Sequence, residues 1–250
     1  MKRIALAVVL LIFAATLPAQ TYDEAVAAYQ QGKIFIAAQA FIKLAEKGEA
    51  KAQLMLGDMY SNGKGVPQDD AEAARWYQKA ANQGDARAQF TLGNMYSTGR
   101  GVPQDKSEAV LWYRKAAEQG LVEAQFNLGV MYDTGEGDVQ DKAEAARWYS
   151  EAAERGNARA QFNLGFLYFK GEGVPQDKAK AVRWYRRAAN QGLAEAQFAL
   201  GLLYDNGEGV SQDKAEAVRW YRMAAEQGNA KAQANLRRLT GDETPGVAKP

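Results

Sequence analysis

The chain has 250 residues, 47% of them apolar and 24% charged, a balance typical of soluble globular proteins. It contains no histidine and no cysteine, which excludes disulfides, thiol nucleophiles, histidine-based triads and the usual zinc and haem ligand sets. Lysine plus arginine number 31 against 30 for aspartate plus glutamate, and a net charge of +1 offers no electrostatic footprint for nucleic acid or an acidic membrane surface.

At the N-terminus, Lys2 and Arg3 form a cationic head, Ile4 to Leu17 carries no charge, and Pro18-Ala19 before Gln20 supplies a cleavage point. These features predict a secretory signal peptide over residues 1–19, short for a membrane span. A retained anchor is the competing reading, and the lack of a following cysteine rules out a lipoprotein. Export without cysteine points to a bacterial periplasmic or secreted protein with no membrane span once the signal is removed.

Internal repetition organises the rest. Trp76, Trp112, Trp148, Trp184 and Trp220 recur every 36 residues, each followed by tyrosine. Five modules follow, over 50–85, 86–121, 122–157, 158–193 and 194–229. Residues 20–49 read as a degenerate helical pair around Gly32, 230–239 as a terminal capping half-repeat, and 240–250 as a flexible tail.

Each module predicts two helices. In the first, Gln53, Leu56, Met59, Tyr60 and Gly63 recur at helical steps before Gly63-Lys64-Gly65-Val66-Pro67 ends it. The second opens on Asp69 with Glu72 three residues on, an acidic form of the capping box, repeated at Asp105/Glu108, Asp141/Glu144 and Asp213/Glu216. Lys180 replaces that glutamate in the fourth module and predicts a weaker cap. Gly84, Gly120, Gly156, Gly192 and Gly228 supply left-handed stops.

The 36-residue period, the Leu-Gly-x-Met/Leu-Tyr first helix, the Gly-x-Gly-Val-Pro-x-Asp connector and the Trp-Tyr-x-x-Ala-Ala second helix together resemble the Sel-one-like repeat (SLR) family. Tetratricopeptide repeats, at 34 residues and without that connector, match less well. The resemblance implies an all-α, right-handed α-solenoid of about six helical pairs. It also implies a monomeric, non-catalytic scaffold or adaptor of the cell envelope that binds a protein or peptide along its concave face, without cofactor or metal. Asp138-Val139 and Ser211 depart from the connector pattern, and those connectors are expected to be looser.

The repeated Trp-Tyr pairs could form a carbohydrate platform, but a ring recurring beside small residues such as Ala80-Ala81 reads as packing. Gly57, Gly93, Gly129, Gly165 and Gly201 each cost about 1 kcal/mol against alanine in mid-helix, which implies close helix contact. On a helical wheel the invariant positions of the first helix fall on one sector. Lys51, Leu54, Met55, Asp58, Ser61 and Asn62, whose equivalents mostly vary, fall opposite and are expected to face outward. Along that wall Asp58 becomes Asn94, Val130, Phe166 and Leu202, and Ser61 becomes Ser97, Asp133, Phe169 and Asp205. Polar gives way to apolar, so Asp58, Asn94, Val130, Phe166, Phe169, Leu202 and the adjacent Lys170 are candidate partner-binding residues. The competing reading is that these side chains tighten contacts between modules. Connector charge also changes sign, from Lys64 and Arg100 to Glu136, Glu172 and Glu208, which reads as solvated surface or as a means of orienting a charged partner.

Catalytic patterns are weak. Ser61-Asn62-Gly63-Lys64 matches the Ser-x-x-Lys of penicillin-recognising enzymes, and some SLR proteins resemble β-lactam binders, which keeps a cell-wall- or β-lactam-directed protein as the alternative. No Ser-Asp-Asn or Lys-Thr-Gly accompanies it. Gly57 to Lys64 misses a phosphate loop by one residue, and Asp133/Glu136 and Asp205/Glu208 lack the acidic density of a calcium loop.

Overall fold

The computed structural model describes residues 21–137 and 140–241, so the signal-peptide reading, the Asp138-Val139 connector and the tail beyond Gly241 fall outside the described residues. Among the described residues there are thirteen helices and no strand, arranged as consecutive packed pairs in an all-α solenoid. The chain divides into two compact units, Met1–Gln119 and Gly120–Pro250.

The first unit contains α1 (Tyr22–Gln30), α2 (Ile34–Glu46), α3 (Ala50–Asn62), α4 (Asp70–Asn82), α5 (Ala86–Thr98) and α6 (Lys106–Glu118). Thr21 opens α1 with a complete capping box, its hydroxyl accepting from the Glu24 N–H and the Glu24 carboxylate returning to its own N–H. The degenerate pair α1/α2 packs Ala37, Phe41 and Leu44 onto Leu56, Met59 and Trp76. A second cluster joins Tyr77, Leu92, Met95 and Trp112.

The second unit contains α7 (Val122–Thr134), α8 (Lys142–Glu154), α9 (Ala158–Lys170), α10 (Lys178–Asn190), α11 (Ala194–Asn206), α12 (Lys214–Glu226) and α13 (Ala230–Thr240). Thr240 is the last residue of α13, so the helix runs one residue past the half-repeat boundary read from the sequence. Tyr149, Leu164 and Leu167 centre one cluster, and Tyr185, Leu200, Leu203 and Trp220 another. Burial of each such side chain contributes roughly 2 to 3 kcal/mol.

Glutamine links one repeat to the next. Buried Gln161 donates from Nε2 to the Ala153 carbonyl at 3.0 Å and accepts from Gln191 at 2.8 Å, and Gln197 does the same with Ala189 and Gln227. Each amide thus ties the end of one second helix to the end of the next, and is satisfied while buried.

The connectors depart from expectation in three ways. Each capping aspartate accepts from its first-turn N–H groups, as Asp69 does from Ala71 and Glu72, but the glutamate does not complete the box. The aspartate N–H is already used: Asp69 donates to the Tyr60 carbonyl at 3.0 Å, and Asp213 to that of Tyr204 at 2.9 Å. Lys180 leaves its cap intact, since Asp177 accepts from the Lys180 N–H at 2.8 Å; the cap needs only a backbone donor there. Ser211 likewise leaves the Asp213 to Tyr204 bond in place. The second connector glycine has a steric reason: a Cβ on Gly173, at φ +69°, would lie 2.2 Å from the Lys142 carbonyl.

Candidate partner-binding site

The tyrosine after each tryptophan rises from the second helix across the first. Its ring lies on the mid-helix glycine of its own repeat: a Cβ on Gly57, Gly93, Gly129, Gly165 or Gly201 would come within 2.6–2.9 Å of Tyr77, Tyr113, Tyr149, Tyr185 or Tyr221. Beyond the glycine, the hydroxyl meets polar groups on the first helix. Tyr77 donates to Asp58 at 2.7 Å and Tyr113 to Asn94 at 2.6 Å. Where Val130 and Leu202 occupy that position, the acceptor moves one turn on: Tyr149 donates to Asp133 at 3.2 Å and Tyr221 to Asp205 at 3.3 Å.

Titration of these phenols follows the same geometry. Burial pushes Tyr77 well above the usual phenol range, and the neighbouring Asp58 carboxylate adds to it. Burial with Asp133 raises Tyr149, partly offset by a hydrogen bond from Asn163 on the following helix, and Tyr221 stands likewise between Asp205 and Asn235. Tyr185 is raised by burial alone.

The fourth repeat is therefore different. Phe166 and Phe169 occupy both acceptor positions, and Ala199 stands where Asn163 and Asn235 stand for their tyrosines. A cleft of about 730 Å³ lies at these positions in the second unit, lined mainly by Phe162, Phe166, Phe169, Tyr185, Phe198 and Leu202. Phe166 is 41% exposed, whereas Phe169 and Leu202 are half-buried. Lys170 is exposed beside them, its ammonium 5.8 Å and 5.9 Å from the Phe166 and Phe169 ring centres. In the first unit, a smaller hollow of about 290 Å³ is lined by Ser61, Tyr77, Asn94, Met95 and Arg100, with more polar side chains than the larger one.

The seven candidate residues thus separate. Phe166, Phe169, Lys170 and Leu202 come together in one cleft, while Asp58 and Asn94 hold tyrosine hydroxyls in the first unit and Val130 packs against the Tyr149 cluster. The outward sector is not uniformly outward. Leu54 is 6% exposed and belongs to the Tyr77 cluster, because the first helix is covered on both flanks. Asp205, on the same sector, is buried between Lys214, Arg238 and Tyr221.

Connector charges are matched to the preceding repeat. Arg100 pairs with Asp70 at 2.7 Å, and with the signs reversed Glu172 pairs with Lys142 at 3.3 Å and Glu208 with Lys178 at 2.8 Å. The sign change thus accompanies a change of partner within each unit, which accounts for it without an external ligand. Ser61 accepts from Arg100 at 3.0 Å through both its hydroxyl and its carbonyl, so its hydroxyl serves the junction between repeats.

The residue missed in the sequence is Tyr185. Its signal is a coincidence of three losses, at 166, 169 and 199, which gains meaning only once the reach of the tyrosine across its own hairpin is known.

Comparison with known proteins places these repeats. The model described as Sel1 repeat matches residues 50–85, 86–121, 122–157, 158–193 and 194–229. Among solved structures, the chain is similar to a protective antigen present in uropathogenic Escherichia coli strains displaying an SLR fold, at 38% identity and a TM-score of 0.85 over 92% of this chain. The match covers 51% of the antigen, so this chain spans about half its length. A Sel1 repeat protein from Oxalobacter formigenes matches at 33% identity and a TM-score of 0.79, over 93% of this chain and 100% of that one. No curated protein sequence matches.

Proposed function

The chain belongs to the Sel1 repeat family, whose members are generally non-catalytic protein-interaction scaffolds, and from that premise we propose an adaptor of the bacterial cell envelope that holds a protein partner on the first-helix face of its second unit. The observation that carries this reading is the Phe166/Phe169 cleft. An apolar hollow with an exposed phenylalanine at its mouth stands on a helix where Phe169 replaces a residue that is polar in every other repeat, and where Phe166 replaces Asp58 and Asn94 of the first two. Export by residues 1–19 rests on the Lys2-Arg3 head and the uncharged run behind it.

Capture from a periplasmic extract tests the site. Phe166→Asp with Phe169→Asp leaves the thermal melt nearly unchanged and abolishes capture of the partner that the wild type retains. Equal capture by both proteins would overturn the site.

A further inference from the structure

Tyr185 is 4% exposed, lines the cleft, and makes no hydrogen bond among the described residues. The tyrosines of the other four repeats each donate to an aspartate or asparagine oxygen, whereas the Tyr185 hydroxyl faces the cleft without a protein acceptor among the described residues. Those four tyrosines show what the fourth lacks: a side-chain oxygen next to apolar groups, delivered onto the first-helix face. Here a ligand seated in the cleft is placed to supply that oxygen.

Charge at the mouth specifies the oxygen further. Lys170 and Lys231 are exposed there and form no ion pair among the described residues. Of the two carboxylates on the rim, Glu208 is neutralised by Lys178 at 2.8 Å, which leaves Glu195 alone against two cations. The surplus is positive and favours an anionic visitor. A volume of about 730 Å³ is more than one side chain fills, and suits two or three residues of an extended chain.

The geometry points to this cleft as a docking site for an extended peptide segment that carries an aspartate or glutamate beside a bulky apolar residue. The apolar side chain lies among Phe166, Phe169, Phe198 and Leu202, and the carboxylate accepts from the Tyr185 hydroxyl with Lys170 offsetting its charge. This rests on the scaffold reading and names the chemistry of the partner.

The test uses the full chain and a pool of acetylated, amidated pentapeptides with Leu, Phe or Trp before a central Asp, titrated by NMR alongside pools with Asn or Ala in place of that Asp. The Asp pool is expected to bind at least tenfold more tightly than the Ala pool, with the Asn pool between. Tyr185→Phe should erase most of that preference while leaving the Ala pool unchanged. Phe166→Asn, which rebuilds the acceptor of the second repeat, should weaken all three pools about tenfold or more with the melt intact.

Equal binding of the three pools, no binding of any, or an acid preference that survives Tyr185→Phe would overturn the proposal. N-acetylphenylalanine binding as tightly as the Asp pool would assign the cleft to small apolar acids. Self-association lost in Phe166→Asn would assign it to a second copy of the chain. Either result also overturns the peptide assignment. Partner capture that fails in Phe166→Asp with Phe169→Asp but survives in Tyr185→Phe would leave the scaffold standing without the carboxylate.

Discussion

The ring of Tyr149 rests on Gly129 so closely that a Cβ there would lie 2.6 Å from Cδ1 of the ring. Alanine in place of this glycine gains about 1 kcal/mol of helix propensity, but it drives a methyl into a buried ring and forces the hairpin apart, at a cost of about 1–3 kcal/mol. Gly129→Ala is therefore expected to lower the melting temperature, by a few degrees for a chain of this size. Circular dichroism melts decide the sign. A higher melting temperature would mean that the ring can move and that the glycine is not required by packing.

Phe169→Asp recreates the third and fifth repeats inside the fourth. The new carboxylate would stand between the Tyr185 hydroxyl and Lys178, whose ammonium now sits 5.3 Å from the centre of the Phe169 ring. Lost apolar burial and a newly satisfied hydroxyl nearly cancel, so the unfolding free energy should change by no more than about 1 kcal/mol in either direction. A loss of several kcal/mol would show that Phe169 is a core residue first.

Asp205 is 2% exposed and faces Lys214, Arg238 and Tyr221. Burial alone would raise its pKa, but hydrogen bonds from Lys214 and Arg238 outweigh burial and hold it below the usual carboxylate range. Because the folded pKa lies below the unfolded one, the carboxylate stabilises the fold above the unfolded value, and that contribution is lost as pH falls through the folded value. Asp205→Asn should thus be destabilised by about 1–3 kcal/mol at pH 7. The gap to the wild type should close on acidification below the carboxylate range. Melts of both proteins across that range check it, and a gap that is constant with pH would contradict the charge argument.

The junction pair Lys178 and Glu208 is half-exposed, so its share of stability is small, about 0.2–1 kcal/mol. Lys178→Glu should lower the melting temperature slightly, and adding Glu208→Lys should restore it, because the first unit already uses the reversed signs in Asp70 and Arg100. The effect should fade in high salt. A double variant no better than the single one would show that the pair is not coupled.

Much of this architecture is legible in the sequence because it repeats. The tryptophan spacing gives the period, the glycine beneath each tyrosine announces a close crossing, and the aspartates mark where second helices begin. What failed was the inference from variability to exposure. Asp205 stands at a position that varies among the copies, yet it is buried, because the first helix meets neighbours on two sides; Leu54, at a position that is phenylalanine in the other four copies, is buried as a module contact. Asp58 looked like a free surface carboxylate because its partner, Tyr77, lies 19 residues away on the second helix. Phe166 and Phe169 stood out by hydropathy alone. The hydroxyl they strand did not, since nothing in the pair Trp184-Tyr185 differs from the other four.

Site-specific photocrosslinking in intact cells reaches the partner surface most directly. Benzoylphenylalanine at position 166 should give a discrete adduct with one envelope protein, while the same probe at Leu111, exposed on a second helix of the first unit, should not. No adduct at 166, or the same adducts at both positions, would contradict a docking surface on the Phe166 face.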